Sequence, residues 1–391
     1  MSEIEKKWRA EKLWMGTLAV GMVLGAAAFG IISLFGHTHE FRRTWEPAWG
    51  LLITSFEFFV LCGAGLAAAA SGVYLVGGER IGNLCRRMTT LSVLGFAIGL
   101  GLVIIELTQP TRLSMASVLG PSFYKALLID LFWFAATLGA LFTLDVQLRR
   151  NNVIAVAALG LCVVFLSLAG IFQMGEVLAQ FGKPAKWLST PAFIHYFIAA
   201  MLSGAALVTL ILFLGKKFGN LHPAKDYLFI LQPLRKWSIA LLGLYAVAMV
   251  VIFFGHVSGQ SVGHHSVSPF LFAGPLAFNF WGMQIVVGLL LPMMFLAPRA
   301  VSIERLGLVA GLILTGQFFR SYDMITAGQL ETFHTEAFFL VNQDLVVIMP
   351  CLPKTLVVVG TICFFLFTMT LFEKIKPWNE PGKKEKYREK G

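Results

Sequence analysis

Apolar runs of about 20 residues recur along the chain, separated by polar or charged connections. Ten such runs lie at residues 13–35, 49–76, 90–108, 124–147, 152–174, 191–215, 236–256, 275–297, 301–319 and 355–373. A helix needs about 20 mostly apolar residues to cross the hydrocarbon of a bilayer. The pattern therefore predicts an all-α integral membrane protein of about ten transmembrane helices. The first run is not a signal peptide by its pattern: it has 23 residues, and its leader mixes acids with bases, whereas an h-region has about 7–15. Residues 1–12 read as a cytoplasmic N-terminus, 13–373 as a polytopic membrane domain and 374–391 as a basic cytoplasmic tail.

Composition narrows the picture. The 391 residues are 57% hydrophobic and 13% charged, against about a quarter charged in a soluble chain. A soluble enzyme, a disordered scaffold and a nucleic-acid binder are excluded. The net charge of +10 reports topology: 23 of the 31 Lys and Arg fall in the N-terminus, the even-numbered connections and the tail. By the positive-inside rule both termini are expected in the cytoplasm. Cys62, Cys85, Cys162, Cys351 and Cys363 are scattered without a CxxC pair, so no local iron–sulphur or zinc motif, and no metal site, is expected.

The connections on the outward side are the long ones. The longest, Arg320 to Lys354, carries Asp323, Glu331, Glu336 and Asp344, and its stretch from Ala337 to Met349 reads as an interfacial or re-entrant helix. Pro47 to Leu66 and Pro191 to Leu207 share a small-residue stretch, Cys62-Gly63-Ala64-Gly65 against Ser203-Gly204-Ala205-Ala206. As a repeat, this predicts two four-helix bundles, about 49–174 and 191–319, plus flanking helices, related about an axis along the membrane normal. Chance similarity is the open alternative. Gly95/Gly99 and Gly307/Gly311 are spaced for close helix packing.

Ionisable groups inside a span cost several kcal/mol, so each is a candidate for function. In the alternating topology, nearly all of them fall near the outer interface. Glu57 sits in the outer third of span 2, Glu106 at the end of span 3 with Arg112 beyond it, and Asp130 in the outer third of span 4. Gln173 and Glu176 end span 5, His195 and Tyr196 open span 6, and His256 ends span 7. Asn279, Trp281 and Gln284 occupy span 8, and Arg320 closes span 9. Blander readings stand beside these: an interfacial Glu106–Arg112 ion pair, satisfied interfacial histidines, a solvated Asp130, an aromatic-belt Trp281.

A b-type haem would need facing His pairs, and only His195 and His256 lie within spans, which argues against internal haem. A carrier would place its site near the midplane. An apolar pocket with a few donors and acceptors at the membrane edge suits a quinone. Quinol oxidation also needs a proton acceptor, and Glu57, Glu106 and Asp130 are the carboxylates offered. A buried Arg320 must pair with one of these acids or hydrogen-bond a quinone oxygen. Gln329 follows Gly328, which permits a turn that folds the loop back over the same layer.

Four segments resemble the NrfD/PsrC family of membrane subunits of polysulfide-reductase-like complexes. They are Trp45-Glu46-Pro47-Ala48-Trp49-Gly50 leading to Glu57, Glu106-Leu107-Thr108-Gln109-Pro110-Thr111-Arg112, Gln173 to Trp187, and Arg320-Ser321-Tyr322-Asp323-Met324-Ile325-Thr326-Ala327-Gly328-Gln329. Length and span number are similar to the longer subgroup that includes the hydrogenase-2 membrane subunit HybB and DsrP/HmeB-type subunits. The chain departs from the family at Gln173, where His is common, and at Glu106, where Asp with a following Gly-Arg is common.

The resemblance implies a subunit in the cytoplasmic membrane of a prokaryote, without its own haem or iron–sulphur cluster. Such a subunit binds menaquinone or another quinone near the outer face and exchanges electrons with a ferredoxin-like iron–sulphur subunit docked there. Multihaem cytochrome c and further membrane subunits are implied partners, and menaquinol oxidation in sulfur-linked anaerobic respiration is the implied activity. Arg112, Gln173, Glu176, His195, Arg320 and Gln329 are the expected quinone-binding residues. A proton-coupled secondary transporter is the alternative.

Overall fold

The computed structural model describes residues 3–35, 50–107, 121–179, 190–218, 226–257, 271–274, 276–298, 302–334 and 352–375. Ten helices occupy nearly all of them, and no strand occurs among the described residues. They are α1 (Glu3–Phe35), α2 (Leu51–Gly77), α3 (Gly82–Leu107), α4 (Pro121–Arg149), α5 (Val153–Ala179), α6 (Thr190–Phe218), α7 (Asp226–Val257), α8 (Asn279–Leu296), α9 (Ile303–His334) and α10 (Leu352–Ile375). Nine, all but α9, are long and apolar enough to cross a membrane among the described residues. The all-α, multi-pass architecture read from the hydrophobic pattern is the architecture found.

The tenth, α9, corrects the sequence reading. The expected span ended at residue 319, with Arg320 at its mouth and Asp323 in a long loop. Instead one helix runs unbroken from Ile303 to His334, and Arg320 and Asp323 lie deep within it, 1% and 0% exposed. Gly328 and Gln329 are helical too, so the expected turn is absent. Polar side chains look like a span terminus in sequence, but paired with polar groups of other helices they need no water. A lone Gly costs a helix only about 1 kcal/mol, and no Pro interrupts the segment.

Helix α8 is unusual: Asn279–Leu290 is π-helical and Leu291–Leu296 α-helical. Pro292, which has no N–H to donate, sits just beyond the change of register.

Pairwise packing builds one group from α2 to α5 and another from α6 to α9, with α1 against α10, and α2 against α6 joining the groups. Helices α2 and α6 form the centre, and most of each is buried. Successive contacts between them climb together: Tyr196 with Glu57, Ser203 with Cys62, Gly204 with Gly65. The two helices therefore run parallel. At the crossing their backbones touch, and a Cβ on Gly65 would lie 1.7 Å from the Ala200 carbonyl oxygen. The small-residue stretches that suggested a repeat thus meet each other. Of the other glycine pairs, Gly95 and Gly99 face the α2 backbone at Phe59 and Phe56, whereas a Cβ on Gly311 meets nothing within 4 Å.

Ion pairs at helix ends confirm that the helices alternate in direction. The start of α3 meets the end of α4 through Arg86 and Asp145 (3.3 Å), and the end of α10 through Arg87 and Glu373. The end of α10 meets the start of α1 through Lys374 and Glu11, and the end of α6 meets the start of α9 through Lys216 and Glu304 (2.7 Å). Arg235, near the start of α7, donates to the Leu296 and Ala297 carbonyls at the end of α8. All these contacts lie at one end of the bundle. The buried acids and tyrosines described next lie toward the other.

Candidate functional site: a buried arginine network

Glu57 is held by its neighbours in sequence. Phe56, Phe58 and Phe59 pack against Phe134 of α4, Phe318 of α9 and Phe365 of α10, at ring distances of 5.7, 5.4 and 5.8 Å. Three aromatic contacts fix the rotation of α2, and Glu57, 3% exposed, points toward α6 and α9.

There its carboxylate meets three donors. Arg320 Nη2 donates to Oε1 at 2.6 Å, the Tyr196 hydroxyl donates to Oε2 at 3.1 Å, and the Ser321 hydroxyl lies against the same group. The guanidinium also lies 4.5 Å over the Tyr196 ring, a cation–π contact that is strongest when desolvated. Of the three acids offered by the sequence for Arg320, Glu57 is the partner.

Around this pair several buried polar atoms lack a hydrogen-bond partner among the described residues: Arg320 Nε and Nη1, His195 Nδ1, Tyr245 Oη and Gln317 Oε1. His195 stacks on Tyr245 at 5.2 Å, and Gln317 approaches the Tyr245 hydroxyl without forming a bond of normal geometry. Unsatisfied buried polar groups are few in native proteins, and each calls for an explanation. Five on contacting residues of α6, α7 and α9 make a set of donors and acceptors that the described protein groups leave incomplete.

The other expected residues divide. Glu106 is fully buried and pairs with Lys354 of α10 at 3.3 Å; the expected partner Arg112 lies outside the described residues. Asp130 is buried, not solvated, with Oδ1 unpartnered, one turn from Phe134. Among the described residues no hydrogen bond or ion pair joins it to Arg320, which pairs with Glu57. Gln173 donates to the Ala126 carbonyl at 3.4 Å, tying α5 to α4 rather than reaching the Arg320 network. The side chains of Glu176, His256 and Gln329 lie outside the described residues, as does the stretch from Ala337 to Met349.

Tyr245, Gln317, Asp323 and Lys354 were not singled out as site residues. Tyr245 and Gln317 had a signal, each being an isolated polar group in an apolar run. Asp323 and Lys354 had only misleading ones, a polar cluster and an adjacent Pro.

The sequence of residues 39–332 matches the family described as Polysulphide reductase, NrfD. The chain belongs to the NrfD family. Every residue of the Arg320 network falls inside the matched region, while α10, with Lys354, lies outside it. No curated protein matches the sequence of this NrfD-family chain. Among the described residues, no group of three or more His, Cys, Asp or Glu could hold a metal ion.

Proposed function

We propose that this NrfD-family chain is the quinone-binding membrane subunit of a respiratory oxidoreductase complex, with the headgroup bound at the Arg320 network. The observation that carries this reading is the guanidinium of Arg320: it is 1% exposed, yet among the described residues Nε and Nη1 remain without partners, with Tyr245 and His195 in electrostatic range. A quinone has two ring oxygens that accept hydrogen bonds, and a quinol has two hydroxyls that donate them. Arg320 and Tyr245 supply donors; His195 Nδ1 and Gln317 supply acceptors. The residues fit the ligand in both redox states.

In the direction of oxidation, this chain binds and orients the quinol, and Glu57 accepts a proton from it while Arg320 stabilises the charge that develops. Electrons leave for a ferredoxin-like iron–sulphur subunit and, beyond it, a multihaem cytochrome c or catalytic subunit. Menaquinol oxidation in sulfur-linked anaerobic respiration is the activity that family membership favours. The Lys/Arg bias supports cytoplasmic termini, which turns the Arg320 end of the bundle outward.

Purification of the chain with its partners, followed by lipid extraction and a quinol oxidation assay, tests the reading. Bound quinone, an iron–sulphur partner and quinol-dependent electron transfer support it. Absence of all three, with solute-dependent flux in vesicles, makes the chain a proton-coupled transporter instead.

A further inference from the structure

Asp323 lies one turn along α9 from Arg320 and is fully buried. Both oxygens of its carboxylate accept amide donors from α8: Asn279 Nδ2 donates to Oδ1 at 3.1 Å and Gln284 Nε2 donates to Oδ2. These amides are five residues apart. On an α-helix that spacing turns one side chain about 140° from the other. A π-helix, bonded from i to i+5, brings positions five apart onto one face. The π-helical stretch of α8 therefore aims both amides at one carboxylate. Close packing holds it there, since a Cβ on Gly288 would lie 2.7 Å from the Gly316 Cα.

Asp323 also lies within electrostatic range of Tyr245, whose Oη has no partner among the described residues and whose ring rests on His195. Among the described residues, Tyr322 on α9 and Tyr245 on α7 are the titratable groups in electrostatic range of Asp323, and Arg320, one turn away, carries the contacts to Glu57 and Tyr196. Helix α8 offers it only the neutral amides Asn279 and Gln284.

We infer that Asp323 is a second proton-accepting carboxylate serving the Arg320 network, reached through the Tyr245 hydroxyl and held in place by the π-helical turn of α8. The inference rests on the quinol reading above. Oxidation of one quinol breaks two O–H bonds and releases two electrons and two protons. The electrons pass to the iron–sulphur partner, and Glu57 takes one proton. Tyr245 takes the other and gives its own to Asp323, directly or through a bridging water. Each Asp323 oxygen keeps a second lone pair, so the two amides do not block this transfer.

The test uses the intact complex carrying Asp323→Asn. The expected result is a fall in kcat of about 100-fold, the usual scale for losing a proton-transfer group, with KM for quinol little changed. A carboxylic acid C=O band that rises in the infrared spectrum when quinol is added to wild type is expected to be missing from the variant. Wild-type kcat, pH profile and infrared band in Asp323→Asn would overturn the inference while leaving the quinol reading intact. A wild-type complex that does not oxidise quinol overturns both. If Asp323→Asn fails to assemble, Gln284→Met decides. Removing one donor to the carboxylate moves the acid limb of the rate profile to higher pH if Asp323 accepts the proton, and an unmoved limb overturns the inference.

Discussion

Arg320 and Glu57 stand 263 positions apart in the chain and 2.6 Å apart in the fold, Nη2 to Oε1. Taking both charges out of water costs several kcal/mol per ion, which their attraction repays only with good geometry and further hydrogen bonds. Glu57 has those bonds, from Tyr196 and Ser321. Arg320 has only some of its own, and its Nε and Nη1, unpartnered among the described residues, make the pair better suited to binding a polar ligand than to stabilising the bundle alone.

Glu57→Gln is expected to slow quinol oxidation by about 100-fold or more, the range for removal of a general base. Gln keeps an oxygen to accept from Arg320, so the helices still meet and the complex still assembles. Steady-state turnover, alongside the yield of assembled complex, checks this. Full turnover in a poorly assembled complex would make Glu57 a packing residue.

Arg320→Lys keeps the charge but removes the planar fork that now reaches Glu57 and Ser321 and lies over Tyr196. The expected outcome is a marked rise in KM for quinol and loss of bound quinone from the purified complex, with the chain still inserted. Wild-type rates at limiting quinol would remove the headgroup from this network.

Nine of the ten helices among the described residues were legible because a membrane crossing needs about 20 apolar residues in a row, a demand that leaves its mark on any sequence. Glu57 was legible because a carboxylate inside a Phe-rich run has no cheap explanation. Arg320 and Asp323 stand out in the sequence, but as a span terminus. A cluster such as Arg320-Ser321-Tyr322-Asp323 reads as a helix leaving the membrane, and only the facing Glu57, Asn279 and Gln284 show why the helix continues. Nothing local announces the π-helical stretch, whose Asn279 and Gln284 both donate to Asp323 of α9. In sequence Lys354 looks like part of a loop beside Pro353, because its partner Glu106 is 248 residues away.

Gly65→Ala is expected to disrupt the centre of the protein. The added Cβ would lie 1.7 Å from the Ala200 carbonyl oxygen and 2.8 Å from the Gly204 amide nitrogen, all of it backbone that cannot turn aside. Overpacking of a tight core typically costs about 1–3 kcal/mol and sometimes more, and the contact between α2 and α6 that brings Tyr196 to Glu57 would have to open. Lower thermal stability and loss of bound quinone are expected together. Gly139→Ala, where nothing lies within 4 Å, is the control and is expected to behave as wild type.

Lys354 and Glu106 provide a separate test of what a buried pair does here. Their side chains are 5% and 0% exposed and 3.3 Å apart, joining the end of α3 to the start of α10. Removing one partner of such a pair typically costs about 3–5 kcal/mol, because the other charge stays buried, whereas replacing both with well-packed uncharged groups is often close to neutral. Lys354→Met alone is therefore expected to lower the melting temperature of the complex clearly, and Lys354→Met with Glu106→Gln to recover most of the loss. A structural pair also leaves KM for quinol unchanged in the double variant. If the double variant regains stability but loses quinol turnover, Glu106 serves the reaction as well as the fold, and the proton path includes α3.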